Sequence, residues 1–180
     1  GQEVSTTTLQ TALAYAAIAN GGYLLKPTIL KNMDYDRNPP NVVRRVIRSE
    51  IAKQITDILV DVVKNGTGTN AYVNGYEVAG KTGTAEKFID GRYSKSEFIS
   101  SFASFFPAYD AKYVIVINVD SPQYGYHWGN ESAGRITKGI LDRLISNDYE
   151  LHPQIVKQSH NNKIAKDKEE SNFALQELMP

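Results

Sequence analysis

The sequence predicts an α/β domain of the α+β kind, in which an antiparallel sheet is flanked by helices. Residues 51–63 repeat apolar side chains at the spacing of one helix face. Residues 113–119 (YVIVINV) form a continuous apolar, β-branched run that is typical of a strand. A short link through Pro107 and Asp110 joins this run to the preceding apolar run, which favours an antiparallel hairpin.

The first helix is predicted from its two ends. Thr7 and Gln10 fit a capping box at its start. Residues 20–22, Asn-Gly-Gly, supply the left-handed geometry that ends a helix. An extended segment over residues 23–31 and a short strand over residues 42–47 follow.

The second helix is predicted to be capped by Ser49 and to end at residues 64–66, Lys-Asn-Gly. Six apolar residues are expected on its buried face: Ile51, Ile55, Ile58, Leu59, Val62 and Val63. Residues 66–69, Gly-Thr-Gly-Thr, then form a flexible turn. This turn has the composition of an anion cradle, but we favour a plain loop that returns the chain to the next strand.

The rest of the chain is organised around residues 77–85, EVAGKTGTA. We predict a strand over residues 76–84 that carries Lys81, Thr82, Gly83 and Thr84. A lysine and two threonine hydroxyls beside a bare glycine backbone can hold an anion by charge and hydrogen bond together.

Residues 75–82 also match the phosphate-binding pattern G-x-x-x-x-G-K-[ST]. That motif requires a strand before its first glycine, Gly75, and a helix that begins near Lys81. The preceding residues are polar, and the following ones have no helical apolar stripe. A nucleotide-binding loop is therefore the minor alternative.

Beyond this stretch we predict a polar excursion over residues 86–96 that contains a turn at Asp90-Gly91, strands at 98–107 and 112–120, and a final helix from about 131 to 146. The strands then lie adjacent in chain order. The continuous apolar run of the last one suggests that it is covered on both faces. Residues 150–180 are polar and predicted to be a disordered tail, so the domain comprises residues 1–149.

Composition excludes several function classes. Twenty basic and twenty acidic residues give a net charge of zero, so no nucleic-acid partner is expected. Without cysteine there are no disulfides or thiol chemistry, and His127, His152 and His160 lack the spacing of metal ligands, so no metal or cofactor is expected. No apolar run approaches the length of about 20 residues of a membrane span. Because the sequence starts at Gly1 without a methionine, we expect a piece of a longer protein.

Several collinear blocks over residues 1–147 resemble class B penicillin-binding proteins. The blocks are Gly1-Gln2, Thr8-Leu9-Gln10, residues 19–22 with Pro27, residues 62–71 and residues 78–85 with its Lys-Thr-Gly triad. The Asp-Gly-Arg-Tyr insert at 90–93, the strand at 102–107 and the Asp-Ser-Pro loop at 120 resemble the division-specific (septal) branch in particular. The resemblance implies a penicillin-binding, serine β-lactamase-like transpeptidase fold.

One departure from the family pattern is informative. No Ser-x-x-Lys nucleophile motif occurs in the 180 residues, and the Ser-x-Asn at Ser159 lies in the predicted tail, after the Lys-Thr-Gly triad. The chain therefore resembles the C-terminal portion of a transpeptidase domain, and alone it is expected to be inactive. A non-catalytic binding or scaffold module of the same fold is the main alternative.

The resemblance also implies a mechanism. A serine outside this chain attacks stem peptides ending in D-Ala-D-Ala, and β-lactams trap that serine. By similarity Lys81 supplies positive potential, Thr82 and Thr84 bind the substrate carboxylate, Gly83 permits close approach, and the Thr84 N–H is an oxyanion donor.

The resemblance further implies a setting for the parent protein. It would be anchored to the extracytoplasmic (periplasmic) face of the bacterial membrane, in a division complex. An incomplete sheet would expose apolar surface, so self-association of the piece is expected.

Overall fold

The computed structural model describes residues 4–30, 39–123 and 125–151. The chain divides into two compact units, residues 1–141 and residues 142–180. Except for its first two residues, the predicted tail lies outside the described residues, so the domain boundary proposed from the sequence stays a prediction.

The described residues form an α+β arrangement, as the sequence predicts. The helices are α1 (Thr8–Ala19), α2 (Ser49–Lys64) and α3 (Arg135–Asn147), and the strands are β1 (Tyr23–Leu25), β2 (Val42–Arg45), β3 (Ala79–Ile89), β4 (Arg92–Phe106) and β5 (Tyr113–Asp120). Strands β1 and β2 pair with each other, and β3, β4 and β5 form an antiparallel sheet in that order. No helix of this described part is long and apolar enough to cross a membrane.

Helix α1 starts with the predicted capping box. The Gln10 N–H donates to Thr7 Oγ1 at 3.2 Å, and the Thr7 N–H donates to Gln10 Oε1 at 2.9 Å. Asn118 on β5 donates its side-chain amide to Thr8 Oγ1 at 2.8 Å. The bond between Asn118 and Thr8 therefore ties the first turn of α1 to the sheet.

Helix α2 differs from its prediction in two details. Its N-cap is Arg48, so Ser49 is already helical and makes no capping bond. Ile58 is 63% exposed, because the buried face is shifted round the helix toward smaller residues. Thr56 fits on that face because its hydroxyl donates to the Ala52 carbonyl at 2.9 Å. The buried residues are Ala52, Thr56, Leu59, Val60 and Val63.

The turn predicted at Asp90-Gly91 within residues 86–96 is confirmed, but the rest of that polar excursion is strand, because β3 and β4 continue through it as a long hairpin. Asp90 and Gly91 form the two-residue turn, with φ of 51° and 78°. Positive φ at both turn positions suits the right-handed twist of a tight hairpin. The segment is polar because this end of the hairpin is mostly exposed to solvent.

The core lies where α1 and α2 pack against one end of the sheet. One cluster of its buried members is Leu59, Val60, Ala79, Phe105 and Ala108, and Phe102 of β4 is also fully buried. The prediction that β5 is covered on both faces is wrong, since all its residues are half-buried or exposed. The reason is that Val116, Asn118 and Asp120 of β5 line an open cavity.

Candidate active site

The four site residues predicted from the sequence follow one another on β3. The strand begins at Ala79, three residues later than predicted, and still carries all four. Opposite them on β4 lie, in order, Ala103, Phe102, Ser101 and Ser100. Within the described residues the other edge of β3 has no strand partner, so the site lies on an open sheet edge.

The Lys81 side chain bends round this open edge. Lys81 and Thr82 are neighbours in a strand, so their side chains start on opposite faces of the sheet. Lys81 Nζ nevertheless lies 3.3 Å from Thr82 Oγ1 and 3.1 Å from the Thr82 carbonyl oxygen. Because β4 pairs along one edge of β3, the ammonium reaches these atoms round the other edge, which has no strand partner among the described residues.

Thr67 joins these two residues from the turn after α2. Its Oγ1 lies 3.0 Å from Thr82 Oγ1 and 3.5 Å from Lys81 Nζ. We call Thr67, Lys81 and Thr82 the edge cluster. The preference for a plain connecting loop at residues 66–69 was therefore incomplete, and the Gly-Thr-Gly-Thr pattern was the signal for this contact.

The charge on Lys81 has no carboxylate partner within the part of the chain that the structure describes. No ion pair to Lys81 exists among the described residues, whereas Lys87, which lines the same cavity, pairs with Asp120 at 2.7 Å. The hydrogen bond from Lys87, with a second from Ser121, lowers the pKa of the Asp120 carboxyl below its usual value. Lys87 is thus paired with a carboxylate, whereas no described carboxylate balances the charge of Lys81.

Thr84 is held by a different group. The Gly129 N–H donates to Thr84 Oγ1 at 3.1 Å, which leaves the hydroxyl proton of Thr84 available to a ligand. A Cβ on Gly129 would lie 2.6 Å from the carbonyl oxygens of Gly83 and Ser101, so only glycine fits there. A Cβ on Gly83 would collide with the Ser101 hydroxyl. The structure thus brings Lys81 and Thr82 together and holds Thr84 separately.

The loop that contains Gly129 is tied to the turn after α2. The Asn70 N–H donates to Asn130 Oδ1 at 2.9 Å, and the Asn70 amide donates to the Asn130 carbonyl at 3.1 Å. The His127 ring stacks on Phe98 at 4.9 Å, and its carbonyl accepts from Ser100. His127 therefore anchors this loop.

A cavity of about 680 Å³ opens beside the edge cluster. Lys81, Thr82 and Gly83 line one side, and Thr11 and Tyr15 of α1 line another. This volume is within the range of small-ligand sites, about 300–1,000 Å³. No group of three or more potential metal ligands occurs among the residues that the structure describes.

The geometry rejects the phosphate-binding loop at residues 75–82. That motif needs a helix that begins near its lysine. Lys81 lies instead inside β3, which continues as strand to Ile89. The dipole and backbone N–H groups of a helix N-terminus are therefore absent at this site.

Comparison with known proteins gives a consistent family. Residues 1–142 match the model of the penicillin binding protein transpeptidase domain. Stage V sporulation protein D of Bacillus subtilis is 40% identical over 148 residues, which cover 78% of this chain and 23% of that protein. A peptidoglycan D,D-transpeptidase FtsI homolog of Chlorokybus atmophyticus is 39% identical over 121 residues, 67% of this chain and 18% of that protein.

Solved structures agree with this assignment. The transpeptidase domain of Burkholderia pseudomallei penicillin-binding protein 3 is 34% identical with a TM-score of 0.73, covering 83% of this chain and 45% of that one. Penicillin binding protein 3 of Mycobacterium tuberculosis, solved in complex with aztreonam, is 30% identical with a TM-score of 0.67, covering 81% and 36%. The chain spans only about a fifth of the length of the two curated relatives named above.

Proposed function

Because the chain belongs to the penicillin-binding protein transpeptidase family, we propose that it supplies the Lys-Thr-Gly side of a peptidoglycan D,D-transpeptidase site. The observation that carries the proposal is the edge cluster. Within residues 4–30, 39–123 and 125–151, an ammonium without a carboxylate partner and a threonine hydroxyl lie at an open strand edge, and Thr84 lies two residues after Thr82. This arrangement suits the terminal carboxylate of a stem peptide that lies alongside β3.

The backbone of β3 supports the same orientation. Alternate residues of a strand direct their N–H and C=O groups to the same edge, so Thr82 and Thr84 share one edge. The Lys81 ammonium reaches the Thr82 carbonyl round the open edge, so the Thr84 N–H also faces it. In our proposal this N–H is one oxyanion-hole donor, a contact whose removal typically costs about 3–4 kcal/mol of transition-state stabilisation.

The reaction requires a serine from outside these 180 residues, which contain no Ser-x-x-Lys. Its oxygen bonds to the carbonyl carbon of the penultimate D-Ala, and the terminal D-Ala leaves with a proton on its nitrogen. The amine of a second stem peptide then attacks the ester, forms the cross-link and releases the serine. A β-lactam would acylate the same serine, and binding of aztreonam by the Mycobacterium relative supports this part.

The cellular role is also part of the proposal. We infer a septal enzyme because the 90–93 insert and the 120–122 loop resemble that branch, and because one relative is an FtsI homolog. Such an enzyme works at the extracytoplasmic face of the cytoplasmic membrane, anchored outside the described residues, with division proteins as partners.

Covalent labelling of the full-length protein by a fluorescent penicillin tests the proposal. We expect wild-type protein to be labelled and Lys81→Ala to be acylated at least about tenfold more slowly, since the substituted side chain loses a charged contact. Lys53→Ala removes an exposed lysine of α2 and is the matched control. A folded full-length protein that is never labelled would contradict the enzyme proposal and favour the scaffold module.

A further inference from the structure

We propose that Thr67 is a positioning residue that holds the Lys81 ammonium and the Thr82 hydroxyl in place for the substrate carboxylate. The inference rests on the proposed function and adds a residue outside the Lys-Thr-Gly triad. It depends on the hydrogen-bond geometry of the edge cluster and on how rigidly the turn after α2 is held.

The first argument concerns the ammonium. A lysine ammonium has three protons, and Lys81 Nζ has three acceptors among the described residues: the Thr82 carbonyl at 3.1 Å, Thr82 Oγ1 at 3.3 Å and Thr67 Oγ1 at 3.5 Å. Two of these acceptors belong to the adjacent residue, and Thr67 alone comes from another element. The side chain is long and exposed, so ordering it costs conformational entropy. Thr67 is thus the contact that fixes its direction from outside the strand.

The second argument concerns the two hydroxyls. Thr67 and Thr82 carry two hydroxyl protons between them, and the 3.0 Å bond between their oxygens uses one. A carboxylate accepts hydrogen bonds only, so it selects the arrangement in which Thr67 donates to Thr82 and Thr82 donates outward. Without the Thr67 hydroxyl, the Thr82 hydroxyl is no longer held in that rotamer.

The third argument is that the position of Thr67 is built into the fold. The Gly68 N–H donates to the Val62 carbonyl at 2.9 Å. A Cβ on Gly68 would lie 3.2 Å from the fully buried Phe102 ring, so the turn sits directly on the core. Two further bonds join Asn70 to Asn130. The turn that carries Thr67 is therefore held both by the end of α2 and by the loop that contains Asn130.

Three threonine variants of the full-length protein test the proposal by β-lactam acylation. Thr67→Val removes the hydroxyl at nearly constant shape, and Thr67→Ser keeps it. Thr69→Val makes the same change two residues away, where the hydroxyl accepts a long 3.4 Å bond from the Asn130 side-chain amide and does not belong to the edge cluster. Acylation rates over a range of penicillin concentrations separate binding from the acylation step. We expect Thr67→Val to lower the second-order rate constant about 10- to 100-fold, as for loss of a hydrogen bond to a charged group. Thr67→Ser and Thr69→Val should stay within about threefold of wild type.

The outcomes separate this inference from the proposed function when Lys81→Ala is measured in parallel. If Lys81→Ala is impaired but Thr67→Val acylates at the wild-type rate, the role of Thr67 is overturned and the proposed function stands. If Thr67→Ser is as slow as Thr67→Val, the hydroxyl is not the active group, which also overturns it. If folded wild-type protein is not acylated, both fail. Thermal unfolding of each variant is compared with wild type, and an impaired Thr67→Val with an unchanged midpoint supports the proposal.

Discussion

Gly129→Ala tests how tightly the loop after β5 is packed on the site. A Cβ at this position would lie 2.6 Å from the carbonyl oxygens of Gly83 and Ser101, whereas ordinary contact begins at 3.4 Å. Both oxygens are backbone atoms, one in β3 and one in β4, and these paired strands cannot move aside without a large energetic cost. The loop must therefore shift by about 0.8 Å, the difference between those two distances.

The energetic cost of Gly129→Ala follows from this shift. Overpacking costs about 1–3 kcal/mol. A shift of that size also stretches the 3.1 Å bond from the Gly129 N–H to Thr84 beyond hydrogen-bond range, which costs about 0.5–1.5 kcal/mol more. We therefore expect the free energy of unfolding to fall by about 1.5–4.5 kcal/mol.

Urea denaturation followed by the fluorescence of Trp128, the one tryptophan of the chain, measures this change. Gly139→Ala is the matched control, because a Cβ there meets nothing within 4 Å and the residue lies in α3. Helix propensity predicts that the control gains up to about 1 kcal/mol. An unfolding midpoint of Gly129→Ala equal to that of wild type would refute the close packing on β3.

Three further predictions concern stability and association. Phe102→Ala removes a fully buried ring and should cost about 3–5 kcal/mol in urea denaturation, and the 64% exposed Phe88→Ala should cost much less; equal losses would contradict the core assignment. Folding lowers the pKa of Asp120, so its carboxylate stabilises the fold above the unfolded pKa and this contribution is lost as pH falls through the folded pKa. Asp120→Asn should therefore be less stable than wild type at pH 7, and thermal unfolding should show the difference shrink as pH falls below about 4; a pH-independent difference would count against the Lys87 contact. Because β3 and β5 have unpaired outer edges among the described residues, the isolated 180-residue chain should self-associate, and light scattering that finds a monomer at every concentration would argue otherwise.

Local patterns predicted much of the fold. The Thr7 capping box, the end of α2 at Lys64 and the strand that carries Lys81 all depend on residues close in sequence, where spacing and turn chemistry are informative. The same local reasoning did not predict that β3 and β4 extend through residues 86–96. Polar composition indicates that a segment is exposed to solvent. It does not distinguish an exposed hairpin end from a loop, because both are polar.

The arrangement of the site depends on contacts between distant residues, which a single sequence does not encode in any local pattern. Thr67 and Thr82 are 15 residues apart, and Gly129 and Thr84 are 45 apart. No sequence feature beside Gly129 indicates that this residue packs directly on the backbones of β3 and β4. The half-buried state of β5 was missed for a related reason. An apolar run indicates that the residues favour a strand, but it does not indicate whether other elements cover both faces of that strand.

A crystal structure of the full-length protein acylated by a penicillin tests the central claim most directly. We predict a serine ester formed by a residue outside these 180, with the penicillin carboxylate within hydrogen-bond distance of the Thr82 and Thr84 hydroxyls and beside the Lys81 ammonium. The acyl carbonyl oxygen should accept from the Thr84 N–H at the open edge of β3. An acyl group whose carboxylate lies away from β3, with no contact to the edge cluster, would contradict the assignment of this edge as the substrate site.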